Sequence, residues 1–473
     1  MNQTFEHLKR VYFVGIKGIA MAALAVWAKE RGLQVTGSDV DETFPSDPVL
    51  KKAGIKVLVG FSPTHISDTF KPDLVIYTGA HGGRDNPEVR EAQQLGIPVL
   101  PHGKALGMAM REKRQISISG SHGKTTTTAM IATVLHQAGL HPSHAIGCGE
   151  IRGLGLPGHY DHGEYFIAEA DEYVTDPTHD KTPRFLWQKP EILVVTNIDY
   201  DHPDVYSSIA QVQQAFLAFK KQQVGRKLTI INADDPVSQP LLARSGSGTL
   251  ITFGESRESM YRVSDIAFPS EKTTFKLAYH DNTIGEFTLK VPGRHNALNA
   301  AAAAIACFYA GVSWKNIQAG LVLYKGAKRR FEKIGSRHGI TFYDDYAHHP
   351  KEIQATLAAA RSWYPKHRII AVFQPHTYSR TQKLLVDFAR SFSDASVVIT
   401  TDIYASARET DTLGIDGMTL VHEINKYHGN VIYSPQVENV QTALTALCRK
   451  GDVVVFMGAG DIYMWEKTVC MAV

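Results

Sequence analysis

The sequence predicts an α/β protein of three domains, each built around a mainly parallel sheet. Its 473 residues exceed what one hydrophobic core comfortably fills. Short apolar strand patterns rich in Val, Ile and Leu recur along the chain, and helical patterns follow them. One such strand, at residues 116–119, leads through a glycine turn directly into a helix. The predicted domains cover residues 1–111, 112–326 and 327–473.

The composition argues against several classes of protein. With 44% hydrophobic and 21% charged residues and a net charge of +3, the chain shows no bulk basic charge for nucleic acid. The longest apolar run, residues 297–312, is alanine-rich and interrupted by Asn299, so we expect a buried helix rather than a membrane span. The four cysteines lack metal-type spacing and suit reduced thiols. We therefore expect a cytoplasmic protein, monomeric or weakly dimeric, without membrane or nucleic-acid partners.

The first domain begins with a strand, a glycine turn and a helix, and its second strand ends in Asp39. This outline is typical of a dinucleotide-type βαβ unit, in which the acid binds a ribose hydroxyl. Lys17 and Ala20 stand where the full pattern has glycines, so an ordinary α/β turn explains the stretch about as well. Lys17 could instead reach a diphosphate by its charge. The candidate ligand-binding residues are Gly15, Lys17, Gly18, Ile19 and Asp39.

The second domain opens on the strand, glycine turn and helix described above. Glycines allow a backbone to approach a phosphate, and the amides of a helix start point toward it. Lys124 would add a positive charge for the outer phosphates, and the Thr125 hydroxyl would help to hold Mg²⁺. The turn is shorter than the general pattern, so the alternative is a Gly/Ser turn before an ordinary helix. The candidate phosphate-binding residues are Gly120, Ser121, His122, Gly123, Lys124, Thr125 and Thr126.

Two later strands of this domain end in further metal-binding side chains. One ends near Glu169 and the next is followed by His202. Ligands bind at the carboxyl ends of parallel strands, so both could join Thr125 around Mg²⁺. Each alone could equally be a helix cap or a structural histidine. We interpret residues 173–189 as a polar surface excursion, and residues 250–291 as hairpins because their pattern alternates.

Two residues near the domain boundary have both a structural and a functional interpretation. Asn296 lies at the start of the alanine-rich helix, where it could cap that helix or offer its amide to an adenine. Arg330 belongs to a run of three cations that is either a solvated linker or a phosphate contact. In the third domain, strand ends carry groups suited to an anionic substrate and an attacking amine. These groups are His348, His376 and Arg380.

Motifs in the same order along nearly the whole chain resemble those of the Mur ligases, the ATP-dependent amide-forming enzymes of peptidoglycan synthesis. The matching stretches are Gly-Ser-His-Gly-Lys-Thr at 120–125, Glu-Ala-Asp-Glu at 169–172, Asn-Ile-Asp-Tyr-Asp-His at 197–202, Gly-Arg-His-Asn at 293–296, Lys-Arg-Arg-Phe at 328–331 and Asp-Asp-Tyr-Ala-His-His-Pro at 344–350. The resemblance implies a Rossmann-like N-terminal domain that binds UDP, a central P-loop domain that binds ATP, and a Rossmann-like C-terminal domain that receives the amino acid.

The resemblance also implies roles for individual residues. Lys124 would grip the ATP phosphates, and Thr125, Glu169 and His202 would hold Mg²⁺. The remaining implied contacts are Asn296 with the adenine, Arg330 with the phosphates, Asp345 with the ribose, and Tyr346, His348, His376 and Arg380 with the acid and the incoming amino acid. Some members carry a carbamylated lysine where this chain has Leu217, so we predict no such modification.

Within the family, residues 344–350, 373–381 and 458–461 most resemble the branch that joins L-alanine to UDP-N-acetylmuramate through an acyl phosphate. Two alternatives remain. The stretch Glu-Ala-Asp-Glu-Tyr at 169–173 also occurs in the branch that recycles murein tripeptide. A Mur-like regulator that binds nucleotide without turnover is the third possibility, although it would not need His376 and Arg380.

Overall fold

The computed structural model describes residues 4–200, 202, 204–242, 248–405, 409 and 411–472. Backbone contacts divide the chain into two compact units. Unit 1 comprises residues 1–265, 275–288 and 297–325, and unit 2 comprises residues 266–274, 289–296 and 326–473. Among the helices of the described residues, none combines the length and the apolar character that crossing a membrane requires.

The N-terminal part of unit 1 is a five-stranded parallel sheet with the order β3-β2-β1-β4-β5. Its strands are β1 (Arg10–Val14), β2 (Gln34–Asp39), β3 (Lys56–Val59), β4 (Leu74–Tyr77) and β5 (Val99–Pro101). Its helices are α1 (Ile19–Glu30), α2 (Asp47–Lys52), α3 (Pro87–Gln94) and α4 (His102–Met110), with a π-helical turn at His65–Phe70. The carboxyl ends of β1 and β2 meet at the turn before α1, which places that turn at the ligand edge of the sheet.

The rest of unit 1 is built on the large central sheet. Its first strands and helices are β6 (Arg114–Ser119), α5 (Lys124–Gln137), β7 (Ser143–Ala145), β8 (Gly158–His159), β9 (Tyr165–Ala170), β10 (Val174–Asp176), β11 (Asp180–Pro183), β12 (Ile192–Val195) and α6 (Ile209–Lys221). The chain continues through β13 (Leu228–Asn232), α7 (Gln239–Leu242), β14 (Thr249–Gly254), β15 (Tyr261–Ala267), β16 (Thr273–Tyr279), β17 (Asn282–Leu289), α8 (Arg294–Tyr309) and α9 (Trp314–Leu321).

The order of the central sheet is β17-β16-β15-β14-β13-β12-β6-β9-β7-β8. Strands β12, β6 and β9 pair in parallel, so the loops after them emerge at one edge. The hairpin interpretation of residues 250–291 is wrong at its start, because β14 and β15 pair in parallel. The parallel pairing is limited to Phe253 with Tyr261 and Gly254 with Arg262, and alternation alone does not reveal the direction of pairing.

Helix α1 joins the N-terminal sheet to the central one through apolar contacts. Trp27 is buried, and its ring lies 5.1 Å from the ring of Phe5 and 5.7 Å from that of Phe166 in β9. Gly158 of β8 lies so close to this helix that a Cβ there would be 1.9 Å from the carbonyl oxygen of Ala23. Both parts of unit 1 therefore share one hydrophobic core.

The expectation that residues 173–189 form a surface excursion is wrong. Strands β10 and β11 form an antiparallel hairpin, and Phe185 after it is fully buried. Asp176 accepts a hydrogen bond from the Arg84 amide at 3.1 Å, and a Cβ on Gly107 would lie 2.3 Å from the Trp187 carbonyl oxygen. The polar and proline-containing composition of the segment does not reveal these contacts with the N-terminal part of unit 1, because they are made by the Asp176 carboxylate and by the backbone of Trp187.

Unit 2 contains a six-stranded sheet with the order β18-β19-β23-β20-β21-β22, parallel except for the β18–β19 pair. Its strands are β18 (Glu332–Arg337), β19 (Ile340–Asp345), β20 (Ile369–Phe373), β21 (Val397–Thr400), β22 (Val431–Tyr433) and β23 (Val453–Met457). Its helices are α10 (Pro350–Trp363), α11 (Tyr378–Lys383), α12 (Leu385–Ala389), α13 (Gly417–Ile424), α14 (Val437–Leu447) and α15 (Ile462–Ala472). Strands β19, β23 and β20 are buried on both faces, as the continuous apolar runs predict.

Candidate active site

The glycine turn after β6 is held in place by residues that follow β12. The Asn197 side chain accepts a hydrogen bond from the His122 amide and donates one to the His122 carbonyl, both at 2.9 Å. The Thr196 hydroxyl donates to the same carbonyl at 2.6 Å. The Asp199 amide donates to the Ser121 hydroxyl at 2.7 Å. These bonds fix the backbone path of the turn before α5 begins, as a phosphate-binding loop requires.

Gly123 immediately precedes α5 in the left-handed region, with φ of 84°. A Cβ at this position would lie 2.5 Å from Oδ1 of Asn299. Glycine is required here both by the backbone conformation and by the close approach of the Asn299 side chain.

The ammonium group of Lys124 lies over the turn. It donates to the carbonyl of Gly120 at 2.5 Å and to that of Ser121 at 3.2 Å, and it pairs with Oε2 of Glu172 at 3.1 Å. The Glu172 side chain is 2% exposed, and among the residues that the structure describes its other oxygen, Oε1, is buried without a hydrogen-bond partner. The lysine charge is therefore held at the start of α5, where it adds to the positive end of the helix dipole.

Thr125 and Glu169 are in direct contact. The Thr125 hydroxyl donates to Oε2 of Glu169 at 3.0 Å, and the Gly147 amide donates to Oε1 at 2.7 Å. A hydroxyl and a carboxylate at the end of a parallel strand supply the oxygen ligands that Mg²⁺ prefers.

Asp171, which interacts with Lys124 and His202, adds negative charge to this edge of the sheet. The His202 ring lies 4.9 Å from that of Tyr173. Burial alone would raise the pKa of Asp171, but Arg184, Lys124 and His202 lower it to about 2. An ionised carboxylate beside Lys124 and the oxygen donors of Thr125 and Glu169 fit a hard divalent cation, with His202 as a further candidate ligand.

The turn between β1 and α1, which contains the candidate ligand-binding residues of the N-terminal sheet, is held by hydrogen bonds to Asp39. Its Oδ2 accepts a hydrogen bond from the Lys17 amide at 2.7 Å, and its Oδ1 accepts one from the Val40 amide at 2.9 Å. The Lys17 ammonium donates to the carbonyls of Val40 at 2.9 Å and Glu42 at 2.7 Å. Gly15, Gly18 and Ile19 thus share one turn with Lys17 and Asp39, and the lysine is folded onto the loop after β2.

In unit 2 the ends of β19 and β20 bring four predicted residues together. The His348 ring lies 5.0 Å from the Tyr346 ring and 6.1 Å from the His376 ring. Nδ1 of His376 lies 3.4 Å from the Arg380 guanidinium. The combination of two imidazoles, a phenol and a guanidinium is suited to binding a carboxylate.

The other predicted residues of unit 2 are also located. The Asn296 side chain donates to the Pro292 carbonyl at 2.6 Å, a local bond at the start of α8. The Arg330 guanidinium lies 5.4 Å from the centre of the Tyr346 ring. Asp345 accepts hydrogen bonds from the amides of Phe331 at 2.7 Å and Ala347 at 2.8 Å, yet burial raises the pKa of its carboxyl to about 6.

Comparison with models of known protein families identifies the family of this chain. The model of the Mur ligase family, catalytic domain, matches residues 10–114, and the Mur ligase middle domain matches residues 118–307. The Mur ligase, glutamate ligase domain, matches residues 329–460. The chain belongs to the Mur ligase family. The predicted family and fold class are thereby confirmed.

Individual proteins match this Mur ligase over almost its full length. The UDP-N-acetylmuramate–L-alanine ligase of Desulfitobacterium hafniense is 40% identical, with 97% of this chain and 99% of the relative covered. That of Acetivibrio thermocellus is 41% identical, with 96% and 94% covered. Among solved structures, the UDP-N-acetylmuramate–alanine ligase of Thermotoga maritima gives a TM-score of 0.80 at 27% identity, with 98% and 99% covered. A murein peptide ligase from Psychrobacter arcticus shares the fold, with a TM-score of 0.71 at 23% identity.

Sequence reasoning missed several residues of this Mur ligase that the structure places at the site. Thr196, Asn197 and Glu172 fix the phosphate loop and its lysine. Asn197 and Glu172 belong to the matching motifs at 197–202 and 169–172 but were assigned no role, and Thr196 had no signal beyond its place after a strand. In unit 2, Arg329 is buried, pairs with Asp344 at 3.1 Å and donates to the Gly458 carbonyl at 2.6 Å. A run of three cations gives no signal for which member is buried.

Proposed function

We propose that this Mur ligase joins L-alanine to UDP-N-acetylmuramate at the expense of ATP, in cytoplasmic peptidoglycan precursor synthesis. The observation that carries the proposal is the full-length identity of 40–41% to ligases of that name. The arrangement of Lys124, Thr125 and Glu169 around one strand edge supports the use of ATP with Mg²⁺. We further propose that the protein acts as a monomer or a weak homodimer.

The chemistry explains why these groups are needed. A carboxylate does not react with an amine in water, so the acid is first phosphorylated by ATP to an acyl phosphate. The amine then attacks the acyl carbon, and the resulting tetrahedral species loses phosphate to leave the amide. Lys124 would neutralise charge on the transferring phosphoryl group, and the amides of residues 123–125 would donate to phosphate oxygens. Mg²⁺, held by Thr125, Glu169 and His202, would supply further charge neutralisation.

We assign the residues at the ends of β19 and β20 to the acceptor side of the reaction. The Arg380 guanidinium offers a fork of donors to a carboxylate, and His376 beside it restricts its orientation. Tyr346 and His348 line the same strand edge and would orient the acid and the amine. Asp39 and the turn from Gly15 to Ile19 are the proposed contact with the uridine nucleotide.

One assay tests the proposal directly. Phosphate release is measured with ATP, Mg²⁺ and UDP-N-acetylmuramate, with L-alanine, glycine, L-serine or the murein tripeptide as acceptor. We expect release with L-alanine at the highest kcat/KM. Release with the tripeptide alone would assign the protein to recycling, and no release with any acceptor would leave a nucleotide-binding regulator.

A further inference from the structure

We propose a second metal site in unit 1, formed by His136, His159 and Asp161, that takes a divalent transition ion of the zinc class. These residues have no part in the ligase reaction proposed above. They belong to different stretches of the chain: His136 lies in the last turn of α5, His159 ends β8, and Asp161 follows it. Imidazole nitrogens and one carboxylate form a donor set that favours zinc-class ions over Mg²⁺.

The distances between the candidate ligand atoms allow one ion to be bound by all three residues. One ligand atom from each of the three residues lies within 4.8 Å of the other two. Nε2 of His159 lies 3.6 Å from Oδ2 of Asp161, which is too long for a good hydrogen bond. Two ligands of a tetrahedral zinc ion, each about 2.1 Å from it, lie about 3.4 Å apart. The observed 3.6 Å is close to the separation of two ligands that share an ion, and it is also within the range of an ion pair between a protonated His159 and Asp161.

Glu30 fixes the orientation of the His159 ring. Oε2 of Glu30 lies 2.6 Å from Nδ1 of His159 and also accepts a hydrogen bond from the Tyr160 amide at 3.0 Å. When Nδ1 donates to Glu30, Nε2 faces away from that carboxylate, and within the described part of the chain Nε2 is buried without a hydrogen bond. A carboxylate behind a histidine in this way orients a metal ligand and raises its basicity.

The solvent exposure and the nearby charges are compatible with a cation bound by these three residues. His136 is exposed, whereas the side chains of His159 and Asp161 are 30% and 19% exposed, so the site opens to solvent. Burial lowers the pKa of neighbouring His144 to about 4, which keeps that ring neutral. Two cations lie near the site: Lys113 donates to the Asp161 carbonyl, and Arg31, which lies over the Tyr160 ring, is paired with Glu112. The two carboxylates of Glu30 and Asp161 outweigh the charge of Lys113.

The location separates this site from the proposed nucleotide site. Helix α5 begins at Lys124 and carries His136 near its end, about 18 Å away along the helix axis at 1.5 Å per residue. A cation at the end of α5 also meets the negative end of the helix dipole. Because Glu30 belongs to α1, an ion here would tie the N-terminal sheet to the central one.

The test measures Zn²⁺ binding to the untagged full-length protein after chelation, by calorimetry in excess Mg²⁺ at about pH 8, above the ordinary imidazole pKa of about 6.5 because the hydrogen bond with Glu30 raises the pKa of His159. Co²⁺ absorption in the visible range reports the ligand geometry independently. The variants are His136→Ala and His159→Ala. His136→Ala removes an exposed side chain and should not disturb folding. The control is His179→Ala, which removes a histidine from a surface pair with Asp85 at 2.6 Å.

We expect one Zn²⁺ ion bound by the wild type and by His179→Ala, and a loss of affinity of at least about 10-fold in both site variants. Zn²⁺ should also raise the melting temperature of the wild type but not of His136→Ala. Nδ1 of His141 lies 3.1 Å from Oδ2 of Asp161, and Nδ1 of His162 lies 2.6 Å from Oδ1 of the same carboxylate. His162→Ala therefore serves as a second control. Equal Zn²⁺ binding by all variants would overturn the proposal. Loss in His162→Ala with retention in His136→Ala would overturn the assignment of ligands.

Discussion

Lys124 and Glu172 form an ion pair of 3.1 Å at the start of α5, with the Glu172 side chain almost completely buried. The lysine also donates to two carbonyls of its own loop, so its position is defined before any phosphate arrives. A charge that is already oriented costs little reorganisation when a phosphoryl group is transferred. Glu172 is thus the residue that positions the candidate catalytic lysine.

The first prediction concerns Lys124. Lys124→Met should lower phosphate release about 100- to 1,000-fold, because one oriented charge on the transferring group is lost. Binding of UDP-N-acetylmuramate, measured by calorimetry, should stay unchanged, since its proposed site lies on the N-terminal sheet. Lys221→Met removes an exposed lysine at the end of α6 and should have no effect. Near-normal turnover in Lys124→Met would refute the assigned role.

The second prediction concerns the metal requirement. Glu169→Gln should raise the Mg²⁺ concentration needed for half-maximal rate at least about 10-fold, because an anionic oxygen ligand becomes neutral. Thr128→Val in α5 is the control, since the Thr128 hydroxyl donates to the Lys124 carbonyl at 2.8 Å and has no assigned role at the metal. An unchanged Mg²⁺ dependence in Glu169→Gln would remove Glu169 from the metal site.

The third prediction compares the two glycines that flank α5. Gly123 and Gly139 both have positive φ, 84° and 75°, so alanine at either costs about 1–2 kcal/mol. Only at Gly123 does a Cβ meet another atom, Oδ1 of Asn299 at 2.5 Å, whereas no atom lies within 4 Å at Gly139. Gly123→Ala should therefore abolish ATP-dependent turnover as well as lower the melting temperature. Gly139→Ala should lower the melting temperature alone, and equal kinetics in the two variants would contradict this account.

These residues also show how far the sequence could predict the site. Gly120 to Thr126, Glu169 and the end of β12 were predictable because strand, turn and helix patterns place them at one sheet edge, where parallel strands deliver their side chains. Asn299 was not predictable as the neighbour of Gly123, because the two are far apart in the chain and only tertiary packing brings them together. The same reason hid Thr196, whose hydroxyl binds the His122 carbonyl.

Residues 173–189 show a second limit of structure prediction from the sequence. Its polar residues predict a loop, but Asp176 and Trp187 bind groups of the N-terminal sheet that are nearly a hundred residues away in the chain. The composition of a segment predicts its average solvent exposure, but it does not predict which of its residues contact distant parts of the chain. In unit 2, likewise, the sequence predicted the strand ends that carry His348 and Arg380 but not the burial of Arg329.

The fourth prediction concerns the acceptor side. Arg380→Ala should raise the KM for the amino acid or for the sugar acid at least about 10-fold, because a charged hydrogen bond to a carboxylate is lost. Arg390→Ala is the matched control, because Arg390 is exposed and its guanidinium lies over the Tyr427 ring at 4.9 Å. If both variants keep wild-type kinetics, Arg380 does not bind the acceptor or the acid.

The fifth prediction uses the raised pKa of Asp345. Burial raises that pKa from 3.8 to about 6, so the folded protein holds a proton that the unfolded chain has already released. Stability from the neutral carboxyl is fully present below about pH 4 and is lost as the pH rises through 6. Between these limits the wild type should lose about 3 kcal/mol of unfolding free energy from this group alone.

Asp345→Asn isolates that effect, because the amide does not titrate. The variant loses one acceptor for the amides of Phe331 and Ala347, which lowers its stability by an amount independent of pH. Asp344 and Glu466 also have raised pKa values, but they titrate in both proteins and cancel in the difference. The unfolding free energy of the wild type should therefore exceed that of Asp345→Asn most strongly at pH 4. The difference between the two should shrink up to about pH 7 and then stay constant. Melting curves of both proteins across this range measure it, and a constant difference would show that the Asp345 pKa is the same in the folded and unfolded chain.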